Sequence, residues 1–159
     1  MTRVPGRTDS LAMALLVSAA VCVSCYERNH TQDEGTYQFT ADEIIRDECA
    51  IYSGSTALWS GAMQIYGDLL RIKMDDRLYG IEAVGFFLIK EERFTADGSG
   101  GQVFAHASGV ECLMTIINAH LDSTTDSERA FHGSTQVRYE SDQIGCTCQF
   151  WARFSATLQ

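Results

Sequence analysis

Proline is almost missing from this chain: the only one, Pro5, lies close to the start. Every later turn must rely on Gly, Asp, Asn and Ser, which suits strands joined by hairpins. Basic residues are scarce as well. Twelve Lys and Arg face 21 Asp and Glu, a formal net charge of −9. No cluster of Lys or Arg is present to neutralise phosphates. That disfavours nucleic acid as a partner, and charge-driven adsorption to anionic lipid with it. The acidity suits a cation-steering face or simple solubility, and solubility is the commoner role. No apolar run is long enough to span a bilayer as a helix. The run Leu11–Val23 has 13 residues and would rise about 20 Å, against a hydrocarbon core of ~30 Å. Catalytic and metal signatures are also lacking. There is no G-x-S-x-G, and the C-x-C at Cys146–Cys148 is not the C-x-x-C of zinc sites.

What is present begins with that short run. Arg3 and Arg7 precede it and small residues follow it, which is the pattern of a secretory signal peptide over residues 1–24. The run ends in Val23-Ser24-Cys25. This ending resembles the lipobox of bacterial lipoproteins, in which a small residue precedes the cysteine that is lipidated and becomes the new N-terminus. The family usually has Leu three positions before that cysteine; here the residue is Cys22. The resemblance covers residues 1–25 only. It implies a diacylglycerol on the Cys25 thiol and an amide-linked acyl chain such as palmitate. Several chains, at ~0.8 kcal/mol per buried CH₂, make a firm membrane anchor where one chain is marginal. It also implies a cell-envelope location, at the outer membrane or cell surface. The alternative is an ordinary signal-peptidase cut after Ser24, which would secrete the protein with a free Cys25 thiol.

Without residues 1–24 the chain has 135 residues, with 10 basic and 20 acidic side chains. That is one domain's worth of chain, and enough to bury its own core. Residues 26–36, YERNHTQDEGT, are polar and aperiodic, so 25–38 is read as a lipid-anchored tether and 39–159 as a single β domain. Asn29-His30-Thr31 matches a glycosylation sequon, which carries no weight in a bacterial lipoprotein.

The domain is expected to be all-β. In 37–53, Tyr37 and Phe39 alternate as in a strand, while Ile45, Cys49 and Tyr52 share a helical face. The expectation there is a short strand, then a helical turn or a second strand. From Ala57 the period is two. Trp59, Gly61, Met63 and Ile65 share one face, and Leu70, Ile72 and Met74 another. Residues 79–90 include AVGFFLI, apolar on both sides, as in a strand that is central or covered. Asp97-Gly98-Ser99-Gly100-Gly101 is the strongest turn signal. Short strands are expected at 102–106 and 110–121, a polar loop at 122–128 and a strand at 129–140. In the last segment Cys146, Cys148, Phe150, Ala152, Phe154 and Ala156 alternate with polar residues. Seven or eight strands with short connections make an antiparallel meander, closed as a barrel or folded as a sandwich. The pattern W-x-G-x-M-x-I-x-G-D-x-L is broadly similar to small lipocalin-like barrels.

Of six cysteines, Cys22 leaves with the signal and Cys25 is the lipid attachment residue. Cys49, Cys112, Cys146 and Cys148 remain, an even number in an oxidising compartment, so two disulfides follow. A bond between Cys146 and Cys148 would close a strained ring. Each is expected to pair elsewhere, one with Cys49 and one with Cys112, contributing roughly 3–5 kcal/mol apiece in the chain-entropy model. A zinc or copper site of these thiolates with His106, His120 or His132 is the alternative, and neither a metal nor a cofactor is expected. Asp97-x-Ser99 could hold calcium weakly, although turn chemistry explains it better. Trp59, Trp151, Phe86, Phe87, Phe94, Phe131, Phe150 and Phe154 would either fill the core or line a cavity for a small apolar ligand. Two functional readings follow. One is a non-enzymatic, envelope-anchored domain that binds an apolar ligand, a glycan or an envelope protein. The other is an enzyme whose site is assembled from dispersed residues, His120 or His132 with Asp122 or Glu140.

Overall fold

The computed structural model describes residues 30–50, 54, 56–75, 80–88, 91–107 and 110–159. Among the described residues ten strands run β1 (Gly35–Asp47), β2 (Ala57–Tyr66), β3 (Leu69–Met74), β4 (Glu82–Leu88), β5 (Arg93–Gly100), β6 (Val103–Ala107), β7 (Val110–Met114), β8 (Ile116–Ser127), β9 (Ala130–Glu140) and β10 (Cys148–Leu158). Eight of them form a closed antiparallel barrel in the order β1-β10-β9-β8-β5-β4-β3-β2, and β6 and β7 form a separate hairpin. The chain is therefore a meander with one hairpin inserted between β5 and β8. Closure as a barrel, rather than a sandwich, removes the sheet edges that would invite aggregation.

β1 makes the closure. It pairs with β2 on one side and β10 on the other, with register shifts at Ala41/Glu43 and Ile44/Arg46 against β10. Such bulges bend a strand and raise its twist, which lets one strand serve both sides. They also explain the ambiguous reading of 37–53. The irregular spacing of apolar residues comes from bulges within one long strand, and no helical turn forms over 40–47; Tyr52 lies outside the described residues.

Alternation decides the interior elsewhere. Phe39, Phe94, Phe131 and Phe154 fill the barrel, with ring centroids 4.9–6.0 Å apart. Trp59 is 1 % exposed and sits edge-on to Phe150. These aromatics form core, the first of the two roles expected of them. Phe86 and Trp151 are the exceptions, at 59 % and 38 % exposure on the outer faces of β4 and β10.

Several expected boundaries move. Asp97 to Gly100 lie inside β5, not in a turn. A Cβ on Gly98 would stand 2.9 Å from the Glu82 carbonyl oxygen, so glycine serves close strand approach there. Residues 122–127 continue β8 instead of forming a loop, with Ser123 and Thr125 opposite Gly133 and Phe131. The segment 110–121 breaks at Thr115. Cys112 and Met114 are buried before it, Ile117 and Ala119 after it, so the alternation slips by one where the chain passes from hairpin to barrel. The tether ends sooner than expected, because residues 30–38 belong to the folded domain. Gln32 is 1 % exposed and donates to the Tyr37 hydroxyl at 2.7 Å, and His30 stacks on Phe87 at 4.1 Å. Polar composition concealed a plug that covers one end of the barrel.

The disulfides are Cys49–Cys148 and Cys112–Cys146. The first crosses the β1–β10 seam that closes the barrel. The second ties the inserted hairpin to the β9–β10 loop.

Candidate functional site

With its interior filled, the barrel offers its outer wall. A groove of about 470 Å³ runs across β5, β8, β9 and β10. Strand register sets its floor. Asp97, His120, Gln136 and Trp151 are successive cross-strand partners, and Asn118, Arg138 and Gln149 form the parallel row beside them. Each alternates with a buried neighbour, such as Ala119, Val137 or Phe150, so burial of the inner residues fixes the outward direction of the outer ones.

The groove combines one flat apolar surface with several polar groups. Trp151 is 38 % exposed, while Trp59, the second tryptophan, lies in the core. His120 Nδ1 lies 2.7 Å from Asp97 Oδ1. Arg138 is held by Glu140 at 2.8 Å, and Gln149 accepts from Arg46 at 3.2 Å. Among the described residues, the side chains of Asn118, Gln136 and Trp151 make no hydrogen bond within the protein.

The dispersed residues considered for catalysis do not converge. His120 pairs with Asp97, and His132 with Asp126 at 2.7 Å. Asp122 accepts two bonds from Arg93 at 2.9 and 3.1 Å, and Glu140 is taken by Arg138. The groove lining contains no serine, threonine or cysteine. Oxidation of Cys49, Cys112, Cys146 and Cys148 removes the thiolates from any metal site. Among the described residues, no three His, Cys, Asp or Glu side chains are placed to hold a metal ion. A smaller cleft of about 240 Å³, lined by His30, Gln32, Asp33 and Glu34, lies at the plugged end. Glu34 already accepts from the Ile65 amide there at 2.6 Å.

Trp151 was visible in the sequence as an aromatic on the polar side of the last strand. Gln136, Arg138 and Asn118 carried no signal, because only the register of β8, β9 and β10 sets them beside it. Cys25 lies outside the described residues. No family model, no curated protein and no solved structure matches this chain.

Proposed function

We propose that this protein is a non-enzymatic binding domain of the bacterial cell envelope, anchored by lipid on Cys25, whose ligand seat is the outer-wall groove around Trp151. The observation that carries the reading is the groove itself: an exposed indole and unpaired amides on a rigid strand ladder, outside a filled barrel. Rigid elements hold a binding surface more accurately than loops do. The lipobox-like Val23-Ser24-Cys25 supports the anchor, and an oxidising envelope compartment agrees with two disulfides. Chain geometry agrees as well. Cys25 and His30 are five residues apart, a reach of at most about 17 Å, so the plugged end would lie near the bilayer. The groove sits toward the far end of the strands, about 20 Å further out.

Fractionation of cells tests the anchor. The natural chain is expected with membranes and the Cys25→Ala variant in the soluble fraction; equal distribution of the two would support the secreted alternative.

The enzyme reading keeps one favourable observation, the His120–Asp97 pair opening into the groove, where the imidazole could activate a water. Turnover of a groove-bound ligand that disappears in His120→Ala would establish it. Unchanged ligand after long incubation supports the binding domain.

A further inference from the structure

We infer that the groove on β5, β8, β9 and β10 is a saccharide site, taking a neutral pyranose oligosaccharide whose ring lies on Trp151. This inference rests on the groove being the ligand seat. Three features select the ligand class.

The first is the exposed indole. A pyranose has one face of C–H groups, and stacking that face on Trp151 removes apolar area from water on both partners. The indole keeps its N–H free for a ring hydroxyl, since Trp151 has no hydrogen bond within the protein.

The second is the kind of polar group beside it. Gln136 is the direct cross-strand partner of Trp151, and Asn118 sits one row away. Each amide offers a carbonyl acceptor and two N–H donors in one plane. Neighbouring sugar hydroxyls, each both donor and acceptor, match such planar groups.

The third is charge. Asp97 is engaged by His120, and Arg138 by Glu140 at 2.8 Å. Asp97 is thus hydrogen-bonded and Arg138 ion-paired within the protein, and no lone Lys or Arg lines the groove to draw an anion. The surrounding chain is acidic, at −9, which further disfavours anionic ligands. A volume of about 470 Å³ falls within the usual span of small-ligand sites, ~300–1,000 Å³. Its placement on the outer wall, away from the plugged end, would leave the site open to glycans around an anchored protein.

The indole N–H resonance of Trp151, in the ¹⁵N-labelled mature protein with both disulfides intact, reports directly on this site, with Trp59 as the internal control. The probes are chitotriose, cellotriose and maltotriose, the anionic trimer trigalacturonate, and the apolar dye ANS. The inference expects at least one neutral trimer to shift the Trp151 resonance saturably while Trp59 stays still. Trp151→Ala should weaken that binding at least tenfold, read by calorimetry. Gln136→Ala should weaken it about fivefold, the worth of one hydrogen bond. Unchanged thermal melts of both variants would place the loss at the site, since both side chains are on the surface. Binding of a neutral trimer that survives Trp151→Ala would overturn the inference. A shift caused by trigalacturonate or ANS, with none from the neutral trimers, would overturn the saccharide class and leave the groove as a site for something else. Silence of the Trp151 resonance toward every probe would overturn both readings.

Discussion

Single residues carry much of the barrel's shape. Gly85 lies on β4, where an added Cβ would run into the backbone carbonyl of Thr95 on β5. Gly85→Ala should therefore cost about 3 kcal/mol, since backbone cannot move aside as a flexible side chain can. Urea melts at neutral pH measure this, and a loss under about 1 kcal/mol would mean that β4 and β5 separate easily. Tyr37 is the residue that couples the plug to pH. Its hydroxyl accepts from Gln32 and donates to the Asp33 carbonyl, each at 2.7 Å. Burial raises its pKa above the ordinary value of 10.0, with the Gln32 hydrogen bond pulling the other way. A phenol raised in the folded state contributes stability that is complete below the unfolded value and lost as pH climbs through the folded one. Stability should thus decline above about pH 10 as Tyr37 is forced to ionise. Tyr37→Phe should lose about 1 kcal/mol at neutral pH and show a shallower alkaline decline. An identical alkaline slope in the two proteins would assign that decline to other groups.

Elements were legible in the sequence wherever burial alternated with exposure. Thr147 aside, the β10 pattern from Cys148 to Ala156 reads the same in sequence and structure, because one face meets the core and one meets water. β2, β3 and β9 follow the same rule. Signals failed where strand pairing overrode local preference. The glycines of β5 were read as a turn, but they serve close approach between paired strands. Ser123, Thr124 and Thr125 looked like loop residues, yet hydroxyl and β-branched side chains sit well in a strand once both neighbours supply ladders. The groove was the least legible part, because its residues come from four strands and meet only through register. The disulfides belong to this scale too. Cys49–Cys148 spans 99 residues and Cys112–Cys146 spans 34, so the chain-entropy model gives about 5 and about 4 kcal/mol. Their local effects should differ more than these totals. Replacing Cys112 and Cys146 by Ser should speed hydrogen exchange in β6 and β7 while the β8 and β9 ladder stays protected. Replacing Cys49 and Cys148 should loosen the β1–β10 seam. Uniform loss of protection in both variants would mean that hairpin and barrel open as one unit.

At the scale of the whole molecule, the barrel, the plug and the proposed anchor form one arrangement. Residues 30–34 cover one end of the barrel and both disulfides lie toward the other, where the inserted hairpin meets the β9–β10 loop. The proposed lipid on Cys25 would hold the plugged end at the membrane and turn the groove's half of the wall outward. In that arrangement acidic surface charge would keep the domain off an anionic bilayer, because like charges repel within a Debye length of about 8 Å. The arrangement depends on what the N-terminus of the mature protein is. Intact mass of protein purified from its native envelope, before and after reduction, addresses this most directly. Lipid anchoring predicts a chain beginning at Cys25, heavier than its amino acids by a diacylglycerol and one acyl chain. Reduction should add four hydrogen masses, two for each disulfide. A chain that begins at Cys25 with no added mass, or that retains residues 1–24, would contradict the anchored arrangement.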